Sequence, residues 1–174
     1  MDGRSGRLIF VSHCILNQNT VATGCAKIEY PCMIWELLKL CRTYILGIEQ
    51  MPCPEFVFAG YPREACTKTQ YEKKGLRRVC SKLANVVVED VVRFLRANLK
   101  VVGIVGVARS PSCGVSEVYV GDLNKSKLLR GAGIFIEEIQ KTLDERNLNI
   151  QFLEWDFRKP RESLSNLASS LLRL

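Results

Sequence analysis

The sequence predicts an α/β fold: a three-layer, open and mainly parallel sheet of about four strands flanked by helices, half of a Rossmann-like arrangement. Short runs rich in Val, Ile, Leu and Phe alternate with longer segments of helical periodicity. The run VVGIVGVA, Val101–Ala108, has no polar alternation, as expected of a strand covered on both faces. Each stretch between strand-like runs is long enough for a crossover, which joins parallel neighbours.

Taken in order, RLIFVS (Arg7–Ser12) is the first expected strand, and it leads directly to His13 and Cys14. Pro31–Tyr44 carries Met33, Leu37, Leu40 and Tyr44 at helical spacing, behind a proline suited to a first helical position. ILGIEQM (Ile45–Met51) reads as the second strand and ends at PCPE. A turn rich in Pro and Gly follows, and Thr69–Lys100 reads as one or two helices, with apolar pairs recurring through NVVVEDVVRFLRANL. The third strand, VVGIVGVA, runs into Arg109 and then Ser-Pro-Ser-Cys-Gly. GIFIEEIQKTLDERN is amphipathic, IQFLEWD is the fourth strand, and RESLSNLASSLLRL closes the fold as a helix. No linker or repeat divides the chain, so residues 1–174 are read as a single domain.

Composition narrows the class of protein. Nearly half of the 174 residues are hydrophobic, which suits a folded core. The net charge of +7, from 25 Lys+Arg against 18 Asp+Glu, favours encounters with anions, RNA included, without naming one. No run approaches the roughly 20 apolar residues of a membrane span. LIFVSHCIL is interrupted by Ser and His and lacks a cleavage-site pattern, so no targeting peptide is expected. A cytoplasmic protein keeps its thiols reduced, and eight cysteines then point to metal binding or catalysis rather than disulfides.

Cys14, Cys53 and Cys113 each follow a predicted strand. In an open parallel sheet the loops after the strands gather along one edge, so these three thiols can meet. Cys32, Cys41 and Cys80 fall in predicted helices and read as small buried hydrophobes. Cys25 and Cys66 lie in loops that can approach the same edge. Three thiols leave several chemistries open: plain burial, zinc with His13 as a fourth ligand, or an iron–sulfur cubane with one iron left exchangeable.

VSHCILNQN (Val11–Asn19), MPCPEFVFAGYPRE (Met51–Glu64) and SPSCG (Ser110–Gly114) resemble the three cysteine motifs of the thiouracil desulfurase family. SHCILNQN and PCPEF…TK..Y resemble more narrowly a branch of related desulfidases. The resemblance spans most of the chain. It implies a [4Fe-4S] cluster held by Cys14, Cys53 and Cys113, with the fourth iron free to take sulfur from a thiolated nucleobase or related small thio-compound. It implies non-redox replacement of C=S by C=O, with Glu55 as general acid/base and Ser110 and Ser112 positioning substrate or relaying a proton. Where better-characterised members tend to have Cys-Leu-Leu-Gly leading to Arg-Tyr-Asp-Gly, this chain has CILNQNTVATGCAK. That loop is expected to shape the substrate pocket.

Further candidates come with structural counterparts. Asn17 is expected to bind a substrate edge or to serve a loop with unusual backbone angles. Arg63 is placed to orient an anionic or carbonyl-bearing substrate. Glu55 would also satisfy a helix or turn N-terminus, and Ser-Pro-Ser is good turn chemistry in its own right. His13 reads equally as proton shuttle or hydrogen-bonding element. KKGLRR (Lys73–Arg78) reads as a solvated helix face before it reads as a tRNA contact, and GAG before Ile134 is not a full phosphate-binding fingerprint. A small thiolated molecule is therefore the expected partner ahead of tRNA, with no membrane. The sequence leaves monomer and homodimer both open. The alternatives to a desulfurase are a cluster- or zinc-binding sensor or RNA-binding module without turnover, and a zinc-dependent hydrolase.

Overall fold

In a computed structural model, which describes residues 3–172, four strands form one parallel sheet. They are β1 (Arg7–Val11), β2 (Gly47–Gln50), β3 (Lys100–Val107) and a late strand, Phe152–Trp155, numbered β6 below. The order across the sheet is β2-β1-β3-β6, so the chain builds outward in both directions from its centre. Between β3 and β6 lies a separate antiparallel hairpin, β4 (Glu117–Val120) and β5 (Lys127–Arg130). The helices are α1 (His13–Leu16), α2 (Trp35–Thr43), α3 (Pro54–Ala59), α4 (Lys68–Lys74), α5 (Leu76–Arg96), α6 (Ile134–Glu145) and α7 (Pro160–Leu172).

Strand pleating divides the core into two layers. On β1, Leu8 and Phe10 face one layer with Cys80, Val87, Val88 and Ile139, supplied by α5 and α6. Ile9 and Val11 face the opposite layer with Leu37, Trp155 and Leu167, where α2 and α7 cover the sheet. Each fully buried Ile, Leu or Val stabilises by about 1.5–3 kcal/mol relative to an exposed one. β3 is buried along its length after Lys100, as its lack of alternation requires. Its parallel neighbours on either side, β1 and β6, make it the spine of the sheet.

The structure redraws several predicted elements. The helix expected over Pro31–Tyr44 begins only at Trp35, and Cys32 is exposed ahead of it rather than buried within it. The span Thr69–Lys100 is two helices, broken where Gly75 takes the left-handed conformation (φ 89°) that ends α4. The Pro/Gly-rich turn after Cys53 contains α3, which starts with Pro54 at its first turn. The β4–β5 hairpin has no counterpart in the predicted elements, because β5 is four exposed residues whose two leucines are adjacent and so give no alternating pattern.

Candidate active site

The three strand ends deliver their cysteines to one place. β1 continues through Ser12, whose N–H and hydroxyl both donate to the Val105 carbonyl (2.9 and 3.1 Å), and then turns into α1 with Cys14. β2 continues through Met51, whose N–H donates to the Val11 carbonyl at 2.8 Å, and Cys53 then caps α3. β3 ends where the Val107 N–H donates to the Cys113 carbonyl at 2.9 Å. Cys14, Cys53 and Cys113 line a single cavity of about 430 Å³, together with Glu55, Arg63, Ser110 and Ser112. Cys25 and Cys66 also line it.

The Cys113 loop is packed backbone against backbone. A Cβ at Gly106 would stand 2.3 Å from the Cys113 carbonyl oxygen, and one at Gly133 2.4 Å from the Ser112 carbonyl. Neither position admits a side chain. The closeness lets the first turn of α6 take its partners from the loop: Ile134 N–H donates to Pro111 O at 3.0 Å and Phe135 N–H to Ser112 O at 2.9 Å. Ser110 Oγ accepts the Cys113 N–H at 3.0 Å and the Ser112 N–H at 3.4 Å.

Glu55, in the first turn of α3 and nearly buried, joins two of the strand ends. Its Oε1 accepts the Ser112 hydroxyl at 2.6 Å, and its Oε2 accepts the Tyr71 hydroxyl at 3.2 Å and lies 3.6 Å from Arg63 Nη2. Ser112 Oγ is in turn 3.6 Å from Cys113 Sγ and 3.3 Å from Ser110 Oγ. Arg63 lines the same cavity, donating to the Thr20 carbonyl at 2.5 Å and approaching Cys53 Sγ at 3.9 Å. Its Nε is buried and has no partner among the described residues.

The electrostatics of the thiols follow from that crowding. Burial pushes the Cys113 thiol up to about 12, with the Cys53 thiol adding to it. Cys14 is pushed well above its ordinary value, first by burial and then by Cys113, Cys53 and Glu55. Cys53 rises through burial and then Glu55, held back by the Phe56 N–H and Arg63. Thiols that oppose one another's ionisation across a buried cavity become thiolates together when a cation joins them. Among the described residues no three Cys, His, Asp or Glu side chains stand close enough to hold a single metal ion.

Around Cys14 the loop is held by side chains. Asn17, expected at the substrate, stands outside the set of cavity-lining residues; its Oδ1 accepts the Asn19 backbone N–H at 3.0 Å and starts a 3-10 turn, Gln18–Thr20. Its neighbour Gln18 lines the cavity instead and donates through Nε2 to the Cys14 carbonyl at 2.5 Å. Gln50 Nε2 donates to the His13 carbonyl (3.3 Å) and to His13 Nδ1 (3.1 Å), which leaves the ring proton on the buried Nε2. Burial, and then Arg63, lower the His13 pKa and keep it neutral.

Two site residues escaped the sequence reading. Gln18 sits beside Asn17 in the first motif, with nothing in the sequence to separate the two amides. Tyr71 is the aromatic of the TK..Y pattern, and its deep burial against Glu55 gave no local signal. Arg77, in the basic KKGLRR run, is committed to Glu72, Glu137 and Glu138 rather than held free for an anionic partner. No helix among the described residues is long and apolar enough to cross a membrane.

The comparisons with known proteins bear on this geometry. The solved structure of the [4Fe-4S]-dependent thiouracil desulfidase TudS matches with a TM-score of 0.56 at 17% identity, over 94% of this chain and 99% of that one, and shares the fold. The uncharacterized protein MJ0003 of Methanocaldococcus jannaschii is 30% identical over 149 residues, covering 86% of this chain and 85% of the relative. A family model described as 2-thiouracil desulfurase matches residues 9–147, a span that holds all three strand-end cysteines. With most of the chain inside that match, the protein belongs to the 2-thiouracil desulfurase family, a family of desulfurising enzymes.

Proposed function

We propose that the protein is a [4Fe-4S]-dependent desulfidase that exchanges C=S for C=O in a thiolated nucleobase or a related small thio-compound, without net redox change and with release of sulfide. One observation carries it: Cys14, Cys53 and Cys113 line one cavity in which Glu55 and Ser112 are hydrogen-bonded at 2.6 Å. Membership of the family supports the reaction, and the name of the structurally similar TudS supports the cofactor.

The donor set fits such a cluster. Cys14, Cys53 and Cys113 would hold it, since ligands of a cubane bind separate irons and need not close around one ion, as a zinc site requires. When bound, the group supplies a thiophilic iron that has no protein ligand and can take up sulfur.

The chain's own residues move the protons. Water adds to the thiocarbonyl carbon, and Glu55 takes a proton at Oε1, relayed through Ser112 Oγ, which already donates to it. The same carboxyl returns that proton to the sulfur. As the C–S bond breaks, the hydroxyl proton of the adduct follows the same route through Ser112 and Glu55 to the released hydrosulfide, so that thiocarbonyl and water become carbonyl and hydrogen sulfide. Tyr71 and Arg63 on Oε2 keep Oε1 turned toward Ser112. Ser110 holds the turn that presents Ser112 and Cys113. Arg63 lines the cavity beside Cys53 and would orient the substrate through its fixed positive charge, and Asn17 acts indirectly by setting the turn that begins with Gln18. All eight cysteines are free, which suits a reducing cytoplasm, and the commitment of Arg77 to carboxylates favours a small substrate over tRNA.

Anaerobic reconstitution with iron and sulfide tests the proposal. About four irons per chain and sulfide release from 2-thiouracil are expected. Glu55→Gln is expected to keep its iron while sulfide release falls at least about 100-fold. Stoichiometric zinc in a colourless, iron-free protein would overturn the cluster, and full activity in Glu55→Gln would overturn the proton role.

A further inference from the structure

We propose that Gln18 reads an N–H group of the substrate, so that the site selects thiocarbonyl compounds with a free N–H beside the C=S and rejects N-alkylated ones. The inference rests on the desulfidase reading above and adds to it the residue that recognises the substrate and the chemical group it recognises.

Gln18 is 3% exposed, unusual for a glutamine, and every part of it except one atom is fixed. Its backbone N–H donates to Cys32 O at 2.8 Å, and its carbonyl accepts the Val21 N–H at 3.2 Å. Its side chain donates to the Cys14 carbonyl. A carbonyl only accepts, so the end of the amide facing Cys14 must be the NH₂ group. The other end is therefore Oε1, an acceptor.

Nothing among the described residues donates to that oxygen. Nor is it one of the polar atoms sealed from solvent without a partner, which are His13 Nε2, Glu36 Oε2, Arg63 Nε and Trp155 Nε1. Gln18 lines the cavity of the three cysteines, so the access Oε1 keeps is to that cavity. The other acceptor of note there, Glu55, is occupied by Ser112, Tyr71 and Arg63. Arg63, Lys27 and Arg158, which also line the cavity, can only donate.

The site thus offers one neutral, rigid, unpaired acceptor, tied to the backbone of a proposed cluster ligand. A thiolactam, HN–C=S, brings the matching donor on the atom next to the reacting carbon. A methyl group on that nitrogen would displace the water or donor that Oε1 needs and leave it unpaired.

The test compares 2-thiouracil with 1,3-dimethyl-2-thiouracil as substrates of the reconstituted holoenzyme and of Gln18→Met. Calorimetric binding of uracil and 1,3-dimethyluracil to the same proteins reads the contact without turnover. In the wild type, methylation is expected to lower kcat/KM and uracil affinity by about 10- to 100-fold. In Gln18→Met, both unmethylated compounds lose a similar factor and the methylation ratio falls to within about twofold. The wild-type ratio needs no variant, and melting temperature with iron content checks the fold of Gln18→Met.

An undiminished methylation penalty in Gln18→Met, or no penalty in the wild type, overturns the role of Gln18 while sulfide release leaves the desulfidase reading standing. Discrimination in uracil binding that Gln18→Met abolishes, with no compound desulfurised, supports Gln18 and sinks the reaction. Absence of both binding and turnover overturns both.

Discussion

Cys14 and Cys113 follow neighbouring strands of the same sheet, yet their loops are held by different forces. The Cys113 loop is pressed against β3 and the start of α6 at Gly106 and Gly133, and its carbonyls cap α6. The loop after Cys14 wanders from residue 17 to residue 34 through an exposed stretch at 23–29, pinned by the amides of Asn17, Gln18 and Gln50. Backbone packing allows little variation and holds Cys113 with Ser112, which the proposed chemistry needs in fixed relation to Glu55. Side-chain pinning leaves the chain free to change composition while still presenting Cys14. The rigid loop suits the reaction, and the pinned loop suits the choice of substrate.

The sharpest way to break that contrast is to place a methyl group in the rigid loop. Gly133→Ala sets a Cβ 2.4 Å from Ser112 backbone atoms, which cannot swing aside as a flexible side chain would. A loss of about 3 kcal/mol is expected, a fall of roughly 6–12 °C in Tm, together with reduced iron content after reconstitution. Thermal denaturation and iron analysis check it. A variant that melts like the wild type and loads its full iron would show that the loop yields, and the contrast would collapse.

A middle-sized effect comes from the far side of the same loop. Arg109, at φ +64°, grips Asp156 with both terminal nitrogens, and both side chains are mostly buried. Burial alone would raise the Asp156 carboxyl; the hydrogen bonds from Arg109 and from the Arg158 N–H outweigh it and hold the group below its ordinary 3.8. A depressed carboxyl contributes its full stability above the unfolded value and loses it as pH falls through the folded one. Arg109→Ala is therefore expected to cost about 2 kcal/mol at pH 7, or roughly 4–8 °C in Tm, and the gap to wild type should close as pH drops below about 3.8. Melting curves from pH 7 down to pH 3 measure it, and a gap that stays constant would mean that Arg109 acts through packing alone.

The two loops also differed in how far the sequence disclosed them. β3 was legible because an unalternating Val/Ile run has few other uses, and Cys113 could then be placed at its end. RLIFVS and ILGIEQM read as shorter strands that end just before Cys14 and Cys53, and the gathering of the three thiols follows from the common edge on which the loops of a parallel sheet meet. What keeps Cys113 in place is not visible in the sequence: GAG at 131–133 is not a full phosphate-binding fingerprint, whereas Gly133 is required by the Ser112 backbone, 21 residues earlier in sequence. Close approaches of that kind leave no local pattern. α3 went unseen because proline and glycine bracket it and only six residues lie between Cys53 and Gly60. Asn17 and Gln18 illustrate the limit most directly. They are adjacent amides in one motif, and only the turn starting at Asn17 decides which of them reaches the cavity.

That turn supplies the smallest test. Asn17 is half-buried, and its Oδ1 accepts from both the backbone N–H and the side-chain amide of Asn19, each at 3.0 Å. Asn17→Ala removes a cap of the kind whose loss costs about 1 kcal/mol, so a fall of roughly 2–4 °C in Tm is expected, well short of the effect at Gly133. Iron content should hold, because Cys14 stays anchored through Ser12 on Val105 and through Gln50 on the His13 carbonyl. If the turn serves to aim Gln18, KM for 2-thiouracil should rise a few-fold while kcat stays near that of the wild type, since nothing that touches the Glu55–Ser112 pair has changed. A fall in kcat at constant KM would instead tie the first loop to the chemistry, and the division of labour between the two loops would have to be abandoned.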